Sequence, residues 1–113
     1  MITITPEAAV QIRQSALETN SQNMHLRIAV RREDDGSFVY GMGFDEIGED
    51  DSYLASEGID ICVANAAKDF LMGATLDYVE INPGESQFIF INPNDPAHAA
   101  AESNKAEQNQ KKN

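Results

Sequence analysis

The stretch TLDYVEINPGESQFIFINPNDP, residues 75–96, limits what this chain can fold into more than any other part of it. Leu76 to Ile81 is rich in β-formers, Asn82-Pro83-Gly84-Glu85 punctuates it, and Phe88 to Ile91 is a continuous apolar run stopped by Asn92-Pro93. The pattern predicts a β-hairpin. Side chains alternate across a strand, so Phe88 and Phe90 need cover on one face and Ile89 and Ile91 on the other. Full burial is worth roughly 1.5–3 kcal/mol for each such side chain. The second strand is therefore expected to lie inside and to fix the core.

Upstream segments supply what would pack on that hairpin. Ile2-Thr3-Ile4 is too short to stand alone as a strand but can join a sheet edge. Thr5-Pro6-Glu7 is a helix start, with an N-cap, a proline at the first helical position and an acid in the first turn. Ala9, Ile12 and Ala16, with Leu17 beside them, form the apolar stripe of that helix, which should end between Thr19 and Asn23. From Met24 to Arg32 the pattern alternates, with Leu26, Ile28 and Val30 on one face. Asp34-Asp35-Gly36 then turns the chain into a return strand, Phe38 to Phe44, where Gly41 and Gly43 suggest a bulge or a close backbone approach. Short strands are expected at Tyr53 to Ala55 and Ile59 to Ala64, followed by a short helix, Ala66 to Met72, capped by Asn65 and closed by Gly73.

At 113 residues there is room for one domain, assigned to 1–96, with a polar tail at 97–113 that has no large apolar residue and is expected to be disordered. No apolar run approaches the ~18 residues of a membrane span, and the first residues lack the basic start of a signal peptide. A soluble, cytoplasmic protein is the expectation. The single cysteine, Cys62, permits no intrachain disulfide and reads as a small buried residue. A formal net charge of -11 argues against nucleic-acid binding, which relies on concentrated Lys and Arg. No nucleophile elbow, phosphate-binding glycine loop or His-Glu-x-x-His occurs, so no enzyme activity is expected.

The order LRIAVR, hairpin, GFDE, acidic connector, SEGIDICV, short helix, TLDYVE and a strand running into NPN resembles the A-type iron–sulfur carrier family, the HesB/IscA proteins. The resemblance spans nearly all of the chain before the tail. It implies an α+β fold: a compact β-sandwich-like core of mixed sheets with two helices packed on it. It also implies a site for iron or an iron–sulfur cluster made by three cysteines, one in the loop after LRIAVR and two in a Cys-Gly-Cys beyond the NPN. Here those positions carry Asp35, Ala99 and Ala101. Alanine supplies no ligand, and thiolates carry most cluster bonds. The run GMGFDEIGEDDSYLASEGIDICV, with TLDYVEINPG and FIFINPNDP, is similar to the cysteine-free, DsrR-like branch of that family, which implies a role in sulfur metabolism.

Two functions follow from these residues. In the first, the chain is a non-catalytic interaction or regulatory protein with no cofactor, a monomer that binds a basic protein surface through Glu33, Asp34, Asp35, Asp45, Glu46, Glu49, Asp50 and Asp51. A solvated acidic edge and a hard-cation site are other readings of those acids, although they lack the ligand order of an EF-hand. In the second, it carries iron or an iron–sulfur cluster on replacement ligands, with Asp35 and His98 as candidates.

Overall fold

The computed structural model describes residues 2–96. The elements follow the order β1 (Thr3–Ile4), α1 (Pro6–Glu18), β2 (His25–Arg32), β3 (Phe38–Asp45), β4 (Asp51–Ser56), β5 (Ile59–Ala64), a 3₁₀ helix (Asn65–Leu71), β6 (Thr75–Asn82) and β7 (Glu85–Ile91). They form two mixed sheets. One is four-stranded in the order β3-β2-β5-β4, with β2 and β5 parallel; the other is three-stranded in the order β1-β6-β7, with β1 and β6 parallel. This is the α+β architecture of mixed sheets and two helices that the resemblance implied.

Each end of α1 has a local cause. Thr5 lies in extended backbone and its Oγ1 accepts from the Ala8 N–H at 3.2 Å, while Pro6 occupies the first turn. Thr5 Oγ1 also donates to Asp77 at 2.7 Å, which ties the helix start to β6. The buried face is Ala8, Ala9 and Ile12, small enough to bring the helix close against β5 and β6. Leu17, expected in the apolar stripe, is 59% exposed instead, at the mouth of a cleft that it lines with Leu26 and Phe44.

The hairpin at 75–91 is present, with a two-residue turn and an irregularity between Glu80 and Asn82. Its second strand is not inside. β7 is the edge of the three-stranded sheet: Phe88 and Phe90 pack against the core, but Ile91 is 44% exposed. The interior position belongs to β5, which is paired on both sides by β2 and β4 and buries Ile59, Ile61 and Val63. These meet Leu26 and Ile28 of β2, Leu76 of β6 and the α1 face in one core.

Two smaller expectations also change. The β2–β3 ladder runs without a bulge from His25↔Asp45 to Arg32↔Phe38, and Gly43 has no atom within 4 Å of where a Cβ would stand. Asn65 does not cap the 3₁₀ helix; its side chain accepts from Ser52 Oγ instead. Gly73 closes that helix with φ +81°, a left-handed conformation that glycine adopts without strain.

Candidate functional site

The β2–β3 turn carries Asp35 at the end of the long ladder. Asp35 Oδ1 accepts from the Ser37 N–H at 2.9 Å and the Ser37 hydroxyl at 2.6 Å, an Asx turn that the left-handed Gly36, φ +89°, completes. Those two bonds hold the Asp35 carboxyl below its usual range, so it is ionised across the neutral range. One oxygen is thus fixed by Ser37, while the exposed carboxylate presents the other to solvent. Glu33 pairs with Arg31 at 2.8 Å on the same turn, and Asp34 is exposed beside it.

A second segment converges on this turn. After β7 the chain runs through Asn92-Pro93-Asn94-Asp95-Pro96, and Pro96 Cγ lies 3.8 Å from where a Cβ on Gly36 would be. Asn92 Nδ2 donates to the Phe70 carbonyl at 2.8 Å, and Asn94 Nδ2 donates to the Met72 carbonyl at 2.7 Å, so both amides satisfy carbonyls at the end of the 3₁₀ helix. Tyr40 of β3 donates its hydroxyl to Asp95 Oδ2 at 2.9 Å. The fold therefore brings the segment ending at Pro96 to the loop that holds Asp35. Arg32 sits beside them with its guanidinium 5.6 Å from the Phe38 ring centroid and 5.2 Å from that of Phe70.

The acids expected to act as one surface fall into two groups. Glu33, Asp34 and Asp35 lie at one end of the β2–β3 ladder and Asp45 at the other, seven residue steps or about 24 Å away. At that far end two of the acids are already engaged. Arg27 donates from Nε to Asp45 at 2.7 Å, and from Nη1 and Nη2 to Asp51 at 2.9 and 2.6 Å, a two-pronged grip that also reaches the Glu46 carbonyl. Asp51 also accepts from the Gly48 N–H at 2.6 Å, so it shapes its own loop. The Arg27 and Gly48 bonds pull the Asp51 carboxyl down to about 2, and Arg27 lowers Asp45 as well. Glu46, Glu49 and Asp50 remain exposed.

Cys62 stands opposite Arg27 in the β2–β5 register and is fully buried. Burial pushes its thiol upward despite the nearby guanidinium, so it is an inert core residue, remote from Asp35. Among the described residues no three His, Cys, Asp or Glu side chains come together at metal-binding distance. His98, Ala99, Ala101 and the whole tail expectation for 97–113 lie outside the described residues. Asp35 stands in no such metal-binding group. Sequence reasoning missed Tyr40 and Asp95, whose separation of 55 residues leaves no local signal; the NPN triplet was visible as a strand stop and a family motif, not for the bonds its amides make.

Residues 1–98 match the family model described as iron-sulphur cluster biosynthesis. The iron-sulfur cluster insertion protein ErpA 2 of Methylococcus capsulatus is 36% identical over 94 residues, which cover 82% of this chain and 72% of that protein. The insertion protein ErpA of Alkalilimnicola ehrlichii is likewise 36% identical over 94 residues, covering 82% of this chain and 76% of its own. Among solved structures, IscA with a [2Fe-2S] cluster superposes with a TM-score of 0.69 at 27% identity, covering 82% of this chain and 86% of that one. Escherichia coli SufA gives 0.64 at 28% identity with the same coverage, 82% and 86%.

These relatives overturn two expectations. The reading as an interaction or regulatory protein, and the reading without any cofactor, both gave the missing thiolates more weight than the rest of the chain. Proteins named for cluster insertion, and one solved with a cluster bound, point to iron–sulfur cargo. The chain keeps the fold of those relatives without the thiolates, and in it the loop that holds Asp35 and the segment ending at Pro96 lie together. By the match over 1–98 and the identity to these proteins, the chain belongs to the HesB/IscA family of iron–sulfur cluster biosynthesis proteins.

Proposed function

We propose that this chain is an iron or iron–sulfur carrier that holds its cargo through replacement ligands, with the Asp35 carboxylate standing where the family has its first thiolate. The observation that carries the reading is the approach of Pro96 to Gly36, which sets the segment after β7 beside the Asp35 turn in a protein of the cluster-biosynthesis family. An ionised carboxylate with one oxygen fixed by Ser37 is a suitable hard donor for iron. Asp35 is one ligand; the others come from the segment beyond Pro96, where His98 stands, or from a second copy of the chain. A carboxylate in place of a thiolate makes the donor set harder, and titration with and without sulfide distinguishes iron from a cluster as the cargo.

The test is an anaerobic titration of the full chain with ferrous iron, with and without sulfide, followed by desalting and iron determination. The expected result is iron retained at a fixed ratio to protein by the natural chain and lost in Asp35→Ala. Equal retention by the two proteins would remove Asp35 from the site.

A further inference from the structure

We propose that β3, a free edge of the four-stranded sheet, receives an extended segment of a partner protein that is apolar at its centre and carries Lys or Arg at its ends. The inference needs no cargo and goes beyond the carrier reading. Among the described residues the sheets have edges at β1, β7, β3 and β4. The first two and the last are guarded. β1 has only two residues, β7 opens on Glu85-Ser86-Gln87 opposite an irregularity, and β4 opens on Asp51 and is met at Ser56 by the Ile4 N–H at 2.9 Å. Such devices blunt an edge that would otherwise pair with another chain. β3 lacks them: its eight residues pair with β2 without a bulge, and no proline or charged side chain occurs before Asp45.

The register identifies the backbone groups that β3 presents. The Glu33 N–H donates to the Ser37 carbonyl at 2.8 Å, and from this bonded pair the ladder continues unbroken into Arg32↔Phe38. Bonded and unbonded pairs alternate along an antiparallel ladder, so the N–H and C=O of Met42 and Phe44 point away from β2. No described residue bonds them, and Met42 is 37% exposed. Gly41 and Gly43 flank Met42. A glycine inside a strand marks a bulge or the close approach of another backbone. Here there is no bulge, neither glycine has a left-handed φ, and no atom lies within 4 Å of a Cβ on Gly43. Nothing within the described chain requires them. The room they leave is a recess of about 230 Å³ on the face away from the core, shared with Arg27, Ala29 and Asp45. A second recess, of about 120 Å³, lies on the core side between Ser15, Met42, Phe44 and Phe88. An added strand sends alternate side chains to the two faces, one set to each recess.

Charge selects the occupant. Beyond Phe44 stand Asp45, Glu46, Glu49, Asp50 and Asp51 against one base, Arg27; before Phe38 stand Glu33, Asp34 and Asp35 against Arg31 and Arg32. A second copy paired antiparallel would set each acidic loop against the other copy's Asp35 turn, and paired parallel it would set each loop against its own kind. Both arrangements place acids opposite acids, which is repulsive. Basic ends on the segment meet acids in either direction, most strongly at the loop of Glu46, Glu49 and Asp50.

The test uses the full isotope-labelled chain without added iron, and synthetic peptides of about ten residues with alternating Val and Thr at the centre and either Lys or Glu at both ends. With Lys ends, the Met42 and Phe44 amide signals should shift and exchange with solvent about tenfold more slowly at saturation, binding should weaken severalfold in about 0.5 M salt, and the Glu-ended peptide should bind about tenfold less tightly. Met42→Pro removes an outward donor and should abolish binding. Should that variant fail to fold, two Lys-ended peptides N-methylated on alternate residues decide: only one set of amides faces β3, so one peptide should lose binding and the other keep it. Absence of binding, changes confined to β4 or β7, equal binding by Lys-ended and Glu-ended peptides, or equal loss from both methylated peptides would overturn the proposal. So would protection of Met42 and Phe44 that grows with protein concentration alone, which would make the occupant a second copy.

Discussion

Replacing Asn92 by alanine tests how the C-terminal end of the domain is held. In the native protein this fully buried side chain gives one hydrogen bond to the Phe70 carbonyl and accepts two from Asn94, from its N–H and from its Nδ2. The two bonds to backbone groups contribute about 1 kcal/mol each net, Asn94 Nδ2 keeps the Met72 carbonyl, and the void and the partly stranded Asn94 N–H add roughly 1 kcal/mol more, for a loss of about 3 kcal/mol. The Phe70 carbonyl keeps a second donor in Asn94 Nδ2 at 3.2 Å, which is why the loss is not larger. With a urea slope of about 1.5 kcal/mol per M for a domain of this size, the unfolding midpoint should fall by about 2 M. Asn94→Ala, at an exposed position, serves as the control and should cost about 1 kcal/mol. Asn92→Asp adds a sign test. It sets a carboxylate against the Phe70 carbonyl, so its folded pKa should lie above the ordinary value near 3.9. The variant should approach the natural protein below that pH and lose stability as pH rises through the raised pKa. Midpoints for Asn92→Ala and Asn94→Ala that agree within about 0.3 M would refute the accounting.

Two glycines should respond with opposite signs to alanine. Gly73→Ala places a Cβ at φ +81° and 3.4 Å from Pro93, and should cost about 1–2 kcal/mol, whereas Gly43→Ala meets open space without a left-handed φ and should gain about 0.5 kcal/mol; chemical denaturation reads both. Because Asp51 is held at about 2 against a model-peptide 3.8, the natural chain should lose the contribution of the Arg27 grip as pH falls from about 3.8 through 2. An acid-unfolding curve of Arg27→Met should lack that step, and an identical curve would refute the assignment. Burial, with a smaller push from Asp95, raises the Tyr40 hydroxyl to about 12, so its contribution is complete below about pH 10 and lost as pH rises through 12. Ultraviolet titration should show a last tyrosine ionising near pH 12, absent in Tyr40→Phe.

Elements with a local cause could be read from the residues alone. The Thr5-Pro6 start, the alternation of Leu26, Ile28 and Val30, the Asp-Gly turn and the Pro83-Gly84 hairpin each rest on neighbours within a few positions. Sheet order does not. Phe88 to Ile91 is more apolar than Ile59 to Val63, yet the latter is central because β2 and β4 pair on either side of it, a fact about partners distant in sequence. The acidic run from Glu33 to Asp51 misled in the same way. Continuity in the sequence suggested one surface, but a long unbroken ladder carries its two ends apart, and Arg27 from another strand engages Asp45 and Asp51. At the candidate site, Asp35 was legible through the family pattern, whereas the Tyr40–Asp95 bond exists only in three dimensions.

The pairing of β1 with β6 has a consequence for how the protein is made. Thr3 leaves the ribosome 72 residues before its register partner, Thr75. At roughly 5–20 residues per second, Ile2, Ile4 and the apolar face of α1 wait about 4–14 s for the strand that covers them. The four-stranded sheet, complete by Ala64, can assemble in that interval, and the three-stranded sheet must close last. The Asp35 turn is therefore formed before the segment that joins it, and the candidate site is completed only when the final strand docks.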